Sequence, residues 1–89
     1  MQSRETTIIN RLGLHARAAA EVVRLANRFS SSITLFGNGL QANAKTVMEL
    51  LMLGAPQGTD IRVETEGPDE SEALEAVVAL IENRFNELE

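Results

Sequence analysis

Apolar residues in this 89-residue chain switch repeatedly between two-residue and helical spacing, and this switching constrains the fold more than any other feature. Ile33 and Leu35 alternate with polar neighbours, and so do Ile61 and Val63. Such alternation predicts strands with one buried face. Between these segments the spacing becomes helical. The two apolar stripes are Ala19, Val22, Val23, Ala26 and Phe29 in the first helix and Leu74, Val77, Val78, Ile81 and Phe85 in the last.

Turn-forming residues divide the first half of the chain into elements. The β-branched residues 6–9 predict a first strand, and helical spacing follows over residues 16–28. Gly37-Asn38-Gly39 is typical of a hairpin turn. Residues 40–43 are therefore expected to return as a short strand beside residues 32–36.

Capping patterns predict where the other two helices begin. Thr46 and Glu49 have the spacing of a capping box, which opens a helix that runs to about Leu53. Asp69 and Glu72 form a second, weaker box before the last helix, since Asp replaces Ser or Thr.

The order of the elements is βαββαβα, which predicts one α+β domain over residues 1–89. Strands with one polar face and helices with one apolar stripe pack as two layers. We therefore expect a four-stranded antiparallel sheet with three helices on one face.

Composition excludes several kinds of function. The chain has no cysteine and a single histidine, so thiol nucleophiles, disulfides and Cys- or His-rich metal sites are excluded. With three aromatic residues it offers no aromatic-lined pocket, and we expect no cofactor. The net charge of -5 argues against nucleic acid as a main partner. No apolar run approaches the roughly 18 residues of a membrane span, so no membrane partner is expected and the cytoplasm is the default compartment.

Charge is divided unevenly between the two halves of the chain. Residues 1–45 carry a net charge of +4, whereas residues 46–89 carry a net charge of -9. Such a division either arises by chance or indicates one basic face for anions or acidic partners.

The lone histidine, His15, lies where the helical spacing begins, after a loop that contains Gly13. A lone histidine is more often structural or simply exposed than functional, but a helix start changes its chemistry. The first amides of a helix lack intrahelical partners and, with the helix dipole, bind anions such as phosphate. Arg17 can add a guanidinium at the same place. A nucleophilic imidazole, largely neutral near pH 7, would then lie exposed beside a phosphate site.

The segment Asn10-Arg11-Leu12-Gly13-Leu14-His15-Ala16-Arg17-Ala18 closely resembles the active-site segment of HPr, the histidine phosphocarrier of the bacterial phosphotransferase system. The similarity continues at matching spacings along nearly the whole chain. It includes Asn43-Ala44-Lys45-Thr46-Val47-Met48, Gln57-Gly58-Thr59 and Glu66-Gly67-Pro68-Asp69-Glu70. Leu51-Met52-Leu53 and Phe85-Asn86-Glu87 are more similar to the nitrogen-branch relatives, called NPr.

The resemblance implies an open-faced β-sandwich and a stoichiometric carrier rather than an enzyme. His15 would accept a phosphoryl group at Nδ1 from enzyme I, itself charged by phosphoenolpyruvate, and pass it to an enzyme IIA domain. Arg17 would steady the phosphoryl group, and the backbone amides of Ala16, Arg17 and Ala18 would bind it. The resemblance also implies a monomer.

The resemblance further places a partner-binding surface on the first two helices, at Ala16, Ala20, Arg24, Val47, Met48 and Leu51. Independently of it, Ala16, Ala20, Arg24 and Asn27 share one helical face that is distinct from the apolar stripe. For Val47, Met48 and Leu51 the alternative is ordinary packing in the core.

Two positions differ from many relatives of this kind. Ala18 stands where they have proline; it leaves an additional amide for the phosphate and does not threaten the chemistry. Thr46 stands where many have a serine that a dedicated kinase modifies. Thr46 is therefore a candidate regulatory phosphosite for a Ser/Thr kinase, although a capping box with Glu49 is sufficient to explain it.

Two other functions stay open on the sequence alone. A regulatory module of the same fold would bind an effector according to its phosphorylation state, and a ligand-binding α/β sandwich would share only the architecture. The pair His15 and Arg17 at a helix start favours the carrier over both. The sequence does not distinguish an acceptor in sugar uptake from one in nitrogen or potassium control.

Overall fold

The computed structural model describes residues 1–89 and contains a four-stranded antiparallel sheet with three helices, as predicted. The elements are β1 (Gln2–Thr7), α1 (Ala16–Ala26), β2 (Ser32–Gly37), β3 (Leu40–Asn43), α2 (Val47–Leu53), β4 (Asp60–Glu66) and α3 (Glu70–Glu82), followed by a short 3-10 turn at Arg84–Asn86. This order confirms the α+β class. None of the helices has the length and apolarity that a membrane-spanning segment requires.

The strands are arranged in the order β1-β4-β2-β3, so that β4 lies between β1 and β2. Leu35 of β2 is paired with Val63 of β4 on one side and with Ala42 of β3 on the other, and all three are buried. The β2–β3 turn has positive φ angles of 52° at Asn38 and 75° at Gly39. Positive φ at both central residues is typical of the two-residue turns that match the twist of a hairpin. The predicted alternation and the predicted hairpin are both confirmed.

The first strand begins earlier than the β-branched residues 6–9 indicated. Its pairing with β4 runs from Gln2, opposite Thr65, to Thr7, opposite Asp60. At this edge the contacts with α3 are polar, since Gln2 Nε2 donates to Ser71 Oγ (2.5 Å). Pairing with β4, rather than local β propensity, therefore sets the bounds of β1.

The core is aliphatic and contains most of the predicted stripes. Its members include Ala19, Val22 and Ala26 of α1 and Leu74, Val77, Val78 and Ile81 of α3. Val23 and Phe29 are only partly buried against it. Phe85 is 1% exposed, as predicted, but it lies in the turn after α3 and not in the helix. The three helices thus cover one face of the sheet.

The predicted capping box at Thr46 is wrong. Thr46 is the N-cap residue of α2, but its side chain makes no capping hydrogen bond. Oε1 of Glu49 accepts instead from the amide of Asn43, at 2.8 Å. In a capping box the Glu49 carboxylate would accept from the Thr46 amide. That amide donates instead to the Asn43 carbonyl (3.0 Å).

The predicted box at Asp69 is also wrong, because its carboxylate binds the loop between α1 and β2. It accepts from the amides of Ser30 and Ser31, both at 2.9 Å, and from the hydroxyl of Ser31 at 2.5 Å. The bond from the Ser31 hydroxyl and then that from the Ser30 amide lower the pKa of Asp69 below its usual range. Asp69 therefore joins two distant loops instead of capping α3.

Candidate functional site

The loop before α1 is held against the segment that follows α2. The Leu14 amide donates to the Ala55 carbonyl (2.8 Å), and the Leu14 side chain is buried. Gly13 has a φ of +69°, and a Cβ there would lie 2.9 Å from Cα of Pro56. Only glycine fits at position 13 without displacing the backbone of the neighbouring segment. The loop is thereby fixed with His15 at the start of α1.

His15 is the N-cap residue of α1, as its place in the helical spacing predicted. Its carbonyl accepts from the Ala19 amide (2.8 Å), so the amides of Ala16, Arg17 and Ala18 precede the first intrahelical bond. Nδ1 of His15 accepts from the Arg17 amide at 3.3 Å. This ring nitrogen therefore lies at the positive end of the helix dipole.

The imidazole is less exposed than the sequence led us to expect, because the C-terminal tail (residues 87–89) covers part of it. The His15 side chain is 27% exposed. Its Nε2 is hydrogen-bonded to Oε2 of Glu87, whose own side chain is only 11% exposed. A carboxylate only accepts, so the neutral tautomer that satisfies both contacts has hydrogen on Nε2 and a lone pair on Nδ1.

Asn10, a buried residue, orients that carboxylate. Its Nδ2 donates to the Gly13 carbonyl (2.8 Å) and to Oε1 of Glu87 (3.0 Å), while its Oδ1 is buried without a partner. The roles of Asn10 and Glu87 were not predicted from the sequence. The only available signals were an asparagine at the end of a strand and an acidic residue after the last apolar stripe.

The C-terminal tail reaches the site because the chain reverses after α3. Arg84, Phe85 and Asn86 have φ angles of 56°, 52° and 67°, and Phe85 fills part of the core. Beyond the turn, Arg11 holds Glu89 through a backbone bond (2.6 Å) and a side-chain ion pair (2.7 Å). The tail is therefore anchored on both sides of Glu87.

The guanidinium of Arg17 is exposed and has no hydrogen-bond or ion-pair partner. It lines an open cleft of about 380 Å³ with Arg11, Leu12 and residues 86–89. Arg17 thus lies in the first turn of α1, two residues after the histidine, and its cationic group is exposed and unpaired.

The residues that the resemblance assigned to a partner surface are all exposed. Ala16, Ala20 and Arg24 face solvent along α1. On α2, Val47 and Leu51 are each 38% exposed and Met48 is 67% exposed. Packing of the three α2 residues in the core was the alternative, and it is wrong.

A four-stranded open sheet that presents an imidazole at the first amides of a helix is the architecture of a small histidine phosphocarrier. The family model described as the PTS HPr component phosphorylation site matches residues 2–83. The phosphocarrier protein HPr of Cupriavidus necator is 52% identical over 87 residues, and the match covers 98% of each chain. The phosphocarrier protein NPr of Proteus mirabilis is 45% identical over 87 residues, with 97% of each chain covered. The crystal structure of HPr from Thermoanaerobacter tengcongensis superimposes with a TM-score of 0.92, at 42% identity and 98% coverage of each chain.

The chain therefore belongs to the HPr family of the phosphotransferase system.

Proposed function

We propose that this protein accepts a phosphoryl group on Nδ1 of His15 from enzyme I and passes it to an enzyme IIA domain. The observation that carries the proposal is the position of Nδ1, which faces the amide of Arg17 at 3.3 Å where α1 begins. The other ring nitrogen is occupied by Glu87. Of the two nitrogens, only Nδ1 has a lone pair next to a site suited to an anion.

The transfer needs one bond to form and one to break. The Nδ1 lone pair forms the N–P bond while the bond between phosphorus and the donor breaks, and its electron pair leaves with the donor. The Arg17 amide then donates to a phosphoryl oxygen, with the amides of Ala16 and Ala18 close by. Helix-terminus contacts of this kind contribute about 0.3–1 kcal/mol each, so the group is held without being trapped.

The Arg17 guanidinium supplies the second part of the anion site. It is unpaired in a cleft that Glu87, the partner of His15, also lines, so it can turn to the phosphoryl group without breaking an existing ion pair. Charge-assisted hydrogen bonds to a phosphoryl oxygen are stronger than neutral ones. Because phosphoryl transfer depends mainly on positioning and charge stabilisation, His15 would supply the nucleophile and Arg17 the charge for a carrier that partner enzymes load and unload.

The exposed residues of α1 and α2 form the surface on which both partners would dock. It combines a basic residue, Arg24, with the apolar side chains of Val47, Met48 and Leu51. Methionine adapts its shape to different partners, which suits a protein that must bind a donor and an acceptor in turn. These partners would make the cytoplasm the compartment in which the protein works.

Labelling by enzyme I tests the proposal. The protein is incubated with enzyme I and labelled phosphoenolpyruvate, in parallel with the variant His15→Asn, which removes the nucleophile but keeps a good N-cap residue. We expect acid-labile, base-stable label in the wild-type protein and none in the variant, with both folded by circular dichroism. Equal label in both proteins would contradict the proposal.

A further inference from the structure

We propose that Glu87 is a positioning residue that keeps the proton of His15 on Nε2 throughout phosphoryl transfer. The inference rests on the proposed function and adds a residue of the C-terminal tail to it. The residue does not touch the phosphoryl group, because its carboxylate lies on the opposite ring nitrogen from the one that reacts.

The carboxylate is fixed in orientation and partly withdrawn from water. Oε2 accepts from Nε2 of His15, and Oε1 accepts from Nδ2 of Asn10 at 3.0 Å. The Asn10 amide is itself held at the Gly13 carbonyl, 2.8 Å away, and is buried. Hydrogen bonds to a charged group are stronger where water is largely excluded, and the Glu87 side chain is 11% exposed.

This arrangement selects one tautomer of the neutral ring. With hydrogen on Nε2, the ring donates to Glu87 and accepts from the Arg17 amide. With hydrogen on Nδ1, the Nε2 lone pair would face a carboxylate and Nδ1–H would face an N–H donor. Both contacts would then be repulsive, so Glu87 and the helix start favour the same nucleophilic form.

The same contact accounts for charge during transfer. When Nδ1 forms its bond to phosphorus, the ring, with hydrogen still on Nε2, becomes positively charged. The Glu87 carboxylate next to Nε2 offsets that charge, as carboxylates do for histidines in other catalytic pairs. When the phosphoryl group is transferred to the acceptor, the electron pair of the N–P bond returns to Nδ1 and the ring becomes neutral again. No proton has to enter or leave the ring in either step.

The tail has enough other anchors to keep its place without this carboxylate. Phe85 is buried before it, and Arg11 binds both the backbone and the side chain of Glu89 after it. A substitution at Glu87 is therefore expected to change the ring and not the fold.

The test compares Glu87→Gln and Glu87→Ala with the matched control Glu89→Gln. The control removes a carboxylate from the same tail while the backbone bond from Arg11 to Glu89 is kept. Two readouts are used: nitrogen NMR of the His15 ring with the exchangeable Nε2 proton, and the rate of labelling by enzyme I. Thermal melting of each variant checks that it is folded.

We expect a protected Nε2 proton resonance in the wild type and in Glu89→Gln. In Glu87→Ala the resonance disappears into exchange with water and the Nδ1–H tautomer gains population. Labelling slows by about 10- to 100-fold, the range found when the hydrogen-bond partner of a metal-binding histidine is removed. Glu87→Gln keeps a hydrogen-bond acceptor without the charge. It should retain part of the tautomer preference and still transfer slowly.

Two outcomes would overturn the inference alone. One is a Glu87→Ala protein that keeps the proton resonance and labels as fast as Glu89→Gln. The other is an equal loss in Glu87→Ala and Glu89→Gln, which would assign the effect to the whole tail. A wild-type protein that takes no label from enzyme I would instead overturn the proposed function, which separates the two failures.

Discussion

The carboxylate of Glu87 is hydrogen-bonded to Nε2 of His15, although the two residues are 72 positions apart in the chain. The ring is therefore held from two elements, the N-terminus of α1 at Nδ1 and the C-terminal tail at Nε2. This gives the two ring nitrogens different roles before any partner binds. The nitrogen that faces the helix amides is the one we propose as the phosphoryl acceptor.

Reversal of charge at Arg17 is expected to affect transfer and not folding. The Arg17 guanidinium is exposed and unpaired, so Arg17→Glu should change the free energy of unfolding by less than about 0.5 kcal/mol. Loss of a charged hydrogen bond to the phosphoryl group should slow labelling by about 10- to 100-fold. Arg28→Glu, an exposed site just beyond the other end of α1, is the control and should label more nearly like the wild type. A large fall in melting temperature for Arg17→Glu would mean that Arg17 is structural.

Gly13→Ala should destabilise the protein more than Gly39→Ala. Both glycines have positive φ, +69° and +75°, so each alanine variant bears a backbone cost of roughly 1 kcal/mol. Only at Gly13 would the new Cβ meet the backbone of Ala55 and Pro56, whereas at Gly39 it would meet nothing within 4 Å. Urea unfolding of the two variants measures the difference. Equal losses of stability in the two variants would show that the loop before α1 moves to accommodate the Cβ at little cost.

Thr46→Ala should cost little stability. A working N-cap side chain contributes about 1 kcal/mol, but the Thr46 hydroxyl makes no capping bond, so we expect a loss below about 0.5 kcal/mol. Asn43→Ala is the comparison, because Oδ1 of Asn43 accepts from the Lys45 amide at 2.8 Å. Asn43→Ala should therefore lose more stability than Thr46→Ala. Urea unfolding decides the order of the two. A loss of about 1 kcal/mol or more in Thr46→Ala would show that the Thr46 side chain does cap α2.

A phosphate on Thr46 is expected to weaken partner binding. It would add close to two negative charges beside Val47 and Met48, both exposed on the proposed docking surface. The check is incubation with a cognate Ser/Thr kinase and ATP, with the label mapped, followed by the rate of phosphorylation by enzyme I. Absence of label at Thr46, or an unchanged rate in Thr46→Asp, would remove this regulatory role.

Asp69 makes stability depend on pH in the acid range. Its pKa is lowered in the folded protein, first by the Ser31 hydroxyl and then by the Ser30 amide. A lowered pKa contributes stability that is fully present above the ordinary aspartate value of about 3.9 and is lost as the pH falls through the lower folded value. Urea unfolding between pH 7 and pH 2 should therefore show that the free energy of unfolding falls less in Asp69→Asn than in the wild type as the pH is lowered. Glu72→Gln, in the first turn of the helix that follows Asp69, should lose as much stability in acid as the wild type. A wild-type pH profile in Asp69→Asn would contradict the assignment.

The sequence predicted most of the secondary structure, because burial follows local spacing. Ile33 and Leu35 alternate in a strand, Val22 and Ala26 lie one helical turn apart, and all four are buried where the pattern placed them. The position of His15 at a helix start was predictable for the same reason. A preceding glycine and the point where the helical spacing begins were enough to predict that position.

Polar side chains are where the sequence was misleading. Glu49 and Asp69 have capping-box spacing, yet each accepts hydrogen bonds from another segment, at Asn43 and at Ser30. Capping boxes describe only partners within one turn of helix. A carboxylate binds whichever donors the fold brings nearest, and here those donors lie at the end of β3 and in the loop before β2.

What the sequence by itself determined is the order of the elements, the aliphatic core and a histidine at the first amides of α1, since each depends on near neighbours in the chain. Only the tertiary structure decided that Glu87 lies on Nε2 of His15. That contact requires the reversal at Phe85, its burial in the core and the pairing of Arg11 with Glu89. Local spacing carries no record of which distant donor a carboxylate will reach, so the orientation of the reactive ring could be known only from the folded chain.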